Sequence, residues 1–269
     1  MQNTPNNSQP QVLSESSLER IQQHSAAYWH ERMYEYGVAL GLAIVQFVAF
    51  SVYLYGRRGF YDLFIINKAF AGVAAVLLGI VLLLGPLGRM FNMFDKYLRF
   101  RKELGIMAFF FALMHTVSSL FFLPGRFPLE RYFTTGKWPF LFGLIGIVVL
   151  MAIFAISNNR AIQRMTAHRW WFWQRWGIRI ALAAVALHVG IMKVPGWIEW
   201  YRQGGSTQLV RPEWPGLGIL IAWFMIVVIV VRIAEAINIK VGKIVWYSCV
   251  FFLPVIYLAT FIWGRQFIK

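Results

Sequence analysis

Two histidines sit where histidines are expensive. His115 lies deep in the apolar run of RFRKELGIMAFFFALMHTVSSL, Arg99–Leu120, and His188 lies inside IALAAVALHVG. An ionisable side chain in hydrocarbon is costly and usually marks a site or a pathway. Each imidazole follows a basic residue at the mouth of its run by 13 positions, Lys102 for His115 and Arg175 for His188. At 1.5 Å per helical residue this is roughly 20 Å, so two helices entering from one face carry both rings to one depth. Imidazoles at one depth on separate helices could supply both axial ligands of a b-type haem. The alternative reading stays open, in which each is a hydrogen-bonded packing residue. Ser118, about one turn past His115, could bond a propionate, a water or its own helix backbone.

The elements that must position these rings are membrane helices. The chain has 269 residues, 59% of them hydrophobic and only 14% charged, with mean hydropathy +0.57. Runs of about 20 apolar residues recur, each long enough to cross a bilayer. Backbone polar groups must be satisfied within such runs, so the expected fold is an all-α membrane protein, a helical bundle of about seven transmembrane helices. The spans fall near Val38–Tyr55, Ala69–Leu87, Leu104–Leu123, Phe140–Ile156, Trp176–Val194, Leu217–Val231 and Ile244–Trp263. Pro86, Pro124, Pro139, Pro195 and Pro215 are expected to punctuate span ends, and Pro254 to lie inside the last span. Residues 1–35 read as a polar N-terminal segment. Its first part, to Ser16, is expected to be disordered. Ser16-Ser17-Leu18-Glu19 then fits a capping box opening an N-terminal amphipathic surface helix. His24 and His30 on that helix are expected to be solvated. Residues 36–269 are the transmembrane bundle.

A formal charge of +15 invites a nucleic-acid reading, but the cations sit in short loops between spans, where they set topology and meet membrane lipids. No nucleic-acid partner is expected. Fifteen Lys and Arg fall on the side holding the N-terminus and eleven on the other, with the densest clusters on the first. This places the N-terminus in the cytoplasm and the protein in the bacterial inner membrane as a multi-pass chain. No cleavable signal is expected from the Asn/Gln/Ser-rich start. Cys249 stands alone in an apolar span and forms no intrachain disulfide. Trp170, Trp171, Trp173 and Trp176 at one face and Trp197, Trp200 and Trp214 at the other read as interfacial belts.

The run RFRKELGIMAFFFALMHTVSS resembles the Arg-Arg-x-Leu-Gly-Leu … Leu-His-x-x-Ser segment of the ferric reductase-like transmembrane domain family. LLLGPLGRM is similar to that family's Thr-Pro-Leu-x-Arg span end, with Gly85 in the threonine position, and AISNNRAIQRMTAHRWWFWQRWGIRIALAAVALHVGIMK to its later His-bearing segment. The likeness covers roughly residues 69–193 and is strongest to haem-binding membrane subunits of periplasmic methionine sulfoxide reductase systems. It implies that His115 and His188 are haem ligands. The family's further histidine falls on Arg175 here, beside Gln174, and Lys102 is its counterpart before His115; neither is a usual ligand, so one bis-histidine haem is implied. His168 is the nearest spare imidazole, among interfacial residues. Arg175 and Arg179 read as interfacial anchors, or as cations for a haem propionate or an anionic lipid.

The expected function is that of a membrane haem b electron-transfer subunit. It would pass electrons between a quinol or flavin donor and a partner protein on the outer side, as at most the electron-transfer part of an oxidoreductase. No Gly-rich phosphate loop, Cys-x-x-Cys or soluble nucleotide domain is present, so quinone, flavin or protein must come from outside the chain. The alternative is a structural or binding subunit of a larger membrane complex that keeps the fold without the redox role. A transporter is a weaker third reading, because Asp95, Glu103 and Glu235 are expected near span ends rather than buried in them.

Overall fold

The computed structural model describes the backbone of residues 15–158, 161 and 164–268, with side chains from residue 29 onward, 167 excepted. Residues 1–14 of the segment expected to be disordered and the side chain of His24 lie outside this set, while the backbone of Glu15 and Ser16 is already helical. The seven long helices are α1 (Glu15–Arg58), α2 (Leu63–Met90), α3 (Arg101–Val117), α5 (Lys137–Ile156), α6 (Ala167–Gln203), α7 (Leu217–Ile237) and α8 (Ile239–Gly264), while α4 (Leu129–Phe133) is a single turn. There is no strand among the described residues. Among the described residues seven stretches are long and apolar enough to cross a membrane, and each contains or overlaps one expected span. The protein is a multi-pass, all-α membrane protein.

The helices begin where the sequence supplies caps. Asp62 accepts from the Ile65 amide at 2.9 Å to open α2, and Asn238 accepts from the Lys240 amide at 2.7 Å to open α8. Thr166 plays the same part for α6. Gly204, at φ +78°, ends α6 in a conformation that side chains disfavour. At the centre stands α2, packed against α1, α3 and α7, with Val73, Leu77 and Val81 buried at its heart. Apolar burial does not drive helices together within lipid; close packing at small residues does. A Cβ on Gly79 of α2 would stand 2.6 Å from the Phe224 ring of α7, so only glycine permits that approach.

Several expectations are corrected. The amphipathic N-terminal segment and the first span are one uninterrupted helix, α1, with no proline between them to break it. Pro86 and Pro195 lie inside α2 and α6 rather than at their ends. α6 runs on to Gln203, the lost hydrogen bond being tolerable in a packed membrane helix. Pro254 lies inside α8, as expected. Trp200 is no lipid-facing belt residue: it is buried and donates to the Pro212 carbonyl at 3.2 Å. Its loop folds back, with Arg57 Nε donating to the Trp214 carbonyl at 2.8 Å and the Tyr53 hydroxyl to that of Pro215 at 2.6 Å.

The acids also differ from expectation. Glu103, in the first turn of α3, is wholly buried, and Glu235 of α7 nearly so. Each is matched by arginine. Arg32 of α1 reaches Glu103 at 2.8 Å and Glu35 at 3.1 Å, and Arg89 of α2 reaches Glu235 at 2.6 Å. These pairs tie α1 to α3 and α2 to α7 near helix ends, where the acids are expected, but buried rather than free of the packing.

Candidate functional site

His115 projects from the last turn of α3, just before the backbone loosens into a π-helical stretch at Ser118–Phe122. Such irregular turns recur at functional sites. Its Nδ1 lies 2.8 Å from Asn67 Oδ1 of α2 and 3.3 Å from the Asn67 carbonyl. The Asn67 amide also bonds Ser119 Oγ at 2.9 Å. The Asn67 backbone carbonyl can only accept, so the ring carries its proton on Nδ1, and the side-chain oxygen facing it is a second acceptor. Asn67 itself is buried, with 2% of its surface exposed.

His188 projects from α6, whose main neighbour is α5. Its Nδ1 lies 2.7 Å from the Pro139 carbonyl in the first turn of α5. A carbonyl can only accept, so this ring too is protonated on Nδ1. The contact exists because α5 has a glycine opposite the ring: a Cβ on Gly143 would stand 2.9 Å from His188 Nδ1 and 3.2 Å from Cε1.

The two rings, on separate helices, lie within electrostatic reach of each other, and Lys193 lies within reach of both. Both are half-buried. Among the described residues neither Nε2 has a hydrogen-bond partner. Each imidazole is thus held by one nitrogen and presents the lone pair of the other. That arrangement suits ligation of a metal whose other ligands come from a macrocycle, because outer hydrogen bonds from Nδ1 fix the tautomer and aim of a coordinating histidine. Among the described residues no group of three or more His, Cys, Asp or Glu could hold a bare metal ion. A haem iron needs only two axial donors, since the porphyrin supplies the rest.

The remaining predicted residues fall elsewhere. Ser118 is buried at the start of the π-helical stretch, but the hydroxyl that joins the His115 network belongs to Ser119. Arg175 is not brought to the imidazoles: it lies near the start of α6 and lines a separate cavity with Lys102, Arg101 and Arg232. His30 and His168 are exposed. The sequence reading missed Asn67, Ser119, Pro139, Gly143 and Lys193. Asn67 alone leaves a signal, as an uncharged polar residue in an otherwise apolar LFIIN stretch just before the expected second span.

Residues 70–185 match the ferric reductase like transmembrane component family. The likeness to that transmembrane component covers 116 of the 269 residues. The matched stretch runs from within α2 to within α6 and encloses His115 and Gly143. It stops three residues short of His188, which lies on the same helix. Similar proteins include the protein-methionine-sulfoxide reductase heme-binding subunit MsrQ of Brucella anthropi, 31% identical over 102 residues, which is 38% of this chain and 45% of that protein. MsrQ of Bordetella parapertussis and of Bordetella bronchiseptica are each 27% identical over 150 residues, 55% of this chain and 67% of those proteins. All of α1, α7 and α8 lie outside the matched residues, although Ala39 and Ala43 of α1 and Val228 and Val231 of α7 share the core with them.

Proposed function

We propose that the chain is a haem-bearing electron-transfer subunit of the bacterial inner membrane, holding one b-type haem through His115 and His188. The observation that carries this reading is the shared state of the two imidazoles, each anchored by Nδ1 to an acceptor on a neighbouring helix with Nε2 unengaged. The names of the similar proteins, haem-binding subunits of a methionine sulfoxide reductase, support it. A bound haem would supply one-electron transfer; the chain supplies its fixed ligands and a dry surround. Asn67 and Pro139 set ring orientation, Gly143 leaves room for it, and the positive charge of Lys193 favours an anionic propionate on that side. Electrons would come from a quinol or a flavin and pass to a catalytic partner on the outer side, with the N-terminus in the cytoplasm. The measurement that tests the reading is a pyridine haemochrome assay on the purified chain, with one haem b per chain expected and none overturning it.

Two outcomes follow from the orienting contacts. Asn67→Leu removes the acceptor for His115 Nδ1 and should weaken haem retention about 10–100-fold, the usual cost of losing such a partner. Haem titration of the reconstituted variant measures it. Gly143→Val pushes His188 off the Pro139 carbonyl and should give an altered or weakened Soret band with α-helical content unchanged.

One observation favours a second reading. Arg175 stands at the place of the family's further histidine and Lys102 stands 13 residues before His115; neither is a usual ligand, so the path across the membrane lacks an evident site for a second haem. A structural subunit without electron transfer fits that interruption, and the haemochrome count separates the two.

A further inference from the structure

At the end of the bundle where α3 and α6 begin, a cavity of about 270 Å³ opens between α2, α3, α5, α6 and α7. Seven cationic side chains line it and no carboxylate does. Two of them converge. Measured from where a Cβ on Gly85 of α2 would stand, Arg101 Nη1 is 3.8 Å away and Arg232 Nη1 is 3.9 Å away. Arg89 and Arg175 lie within electrostatic reach of Arg101, and Arg89 and Arg179 within reach of Arg232. Two acids outside the lining pair with it: Glu235, bound to Arg89 at 2.6 Å and 3.9 Å from Arg232, and Glu31, 3.6 Å from Arg99. Two carboxylates cannot balance seven cations. Among the described residues Arg101 makes no ion pair and no side-chain hydrogen bond.

Guanidinium groups do not shed their charge. Gathering them beside hydrocarbon is costly unless an anion joins them. Two guanidinium groups within 4 Å of one point can both reach the oxygens of a phosphate, and a guanidinium fork matches such oxygens bidentately. Leu78, Leu82, Phe109 and Ile178 make another part of the lining apolar. The volume lies just below the range of about 300–1,000 Å³ that holds drug-sized ligands, so the cavity suits a phosphate with a short attached group.

We propose that this cavity is a phosphate-binding site, gripped by Arg101 and Arg232 over Gly85 and filled by an anionic phospholipid headgroup or by a soluble phosphate. The assignment does not rest on the haem reading. The full-length protein, delipidated in detergent, is titrated with phosphatidylglycerol, phosphatidylcholine or inorganic phosphate, while bound lipid is followed by native mass spectrometry and stability by thermal midpoint. Phosphatidylglycerol that binds and stabilises more than phosphatidylcholine identifies the lipid source; stabilisation by inorganic phosphate identifies the soluble one. Arg101→Gln with Arg232→Gln should weaken either about tenfold or more. Gly85→Asp supplies an internal carboxylate where no atom comes closer than 3.8 Å to the new Cβ. It should raise the midpoint without added anion and abolish the response to both probes, which separates loss of the site from loss of the fold. Equal binding by wild type and the double glutamine variant, equal response to phosphatidylcholine and phosphatidylglycerol, or a Gly85→Asp protein that still responds as wild type overturns the proposal.

Discussion

His188→Ala is expected to leave a helical, membrane-inserted protein without its haem. Losing only an outer hydrogen-bond partner of a coordinating histidine costs about 10–100-fold in affinity, so losing the ligand itself should exceed about a hundredfold. The Soret band would fall below detection in purified protein, while far-UV circular dichroism stays near wild type, because His188 is only half-buried and its one hydrogen bond is to a helix-end carbonyl. His115→Ala should do the same. Added imidazole should restore part of the band in either variant, since it can occupy the vacated ligand position; a ring with a merely structural part would not give that signature. His30→Ala and His168→Ala, both at exposed positions, should leave the spectrum unchanged. A His188→Ala protein with full haem content would remove the electron-transfer assignment.

The second large effect is on stability. Arg32→Met strands two carboxylates that the fold has buried. Glu103 is 0% exposed and receives the Arg32 guanidinium at 2.8 Å; Glu35, one turn along α1, receives it at 3.1 Å. Breaking one side of such a pair costs about 3–5 kcal/mol, because the remaining charge is left without compensation. Arg32 is itself part-exposed, which moderates the loss, so about 3 kcal/mol is expected. The double change Arg32→Met with Glu103→Met should recover part of it, since replacing a buried pair by apolar groups of similar size is often close to neutral while Glu35 stays without its arginine. Thermal unfolding of the single and double variants in one detergent checks both. If the single variant is as stable as wild type, the pair does not hold α1 to α3.

The membrane class, the seven spans and the two intramembrane histidines could all be read from the chain. Each depends on a property that is local along the sequence. Twenty apolar residues must become a helix in lipid because their backbone groups have no other partners. A histidine within such a run is conspicuous wherever the helix goes. The residues that prepare those histidines could not be read. Asn67 and His115 are 48 positions apart, and Pro139 and His188 are 49 apart. Gly143 looks like any other glycine in an apolar helix until α6 lies against it.

The same distinction holds for charge. Composition marked the start of α3 as basic, but only packing turned Glu103 inward to meet Arg32 and left Arg101 without a carboxylate of its own. Arg101 and Arg232 are more than a hundred residues apart, and nothing local in either segment says that they meet over Gly85. The sequence by itself determined what each helix is and which side chains must be costly within it. Tertiary structure decided which costs are shared, because a hydrogen bond or ion pair between helices depends on crossing, depth and rotation, and these are set by packing at small residues rather than by the run of any one segment.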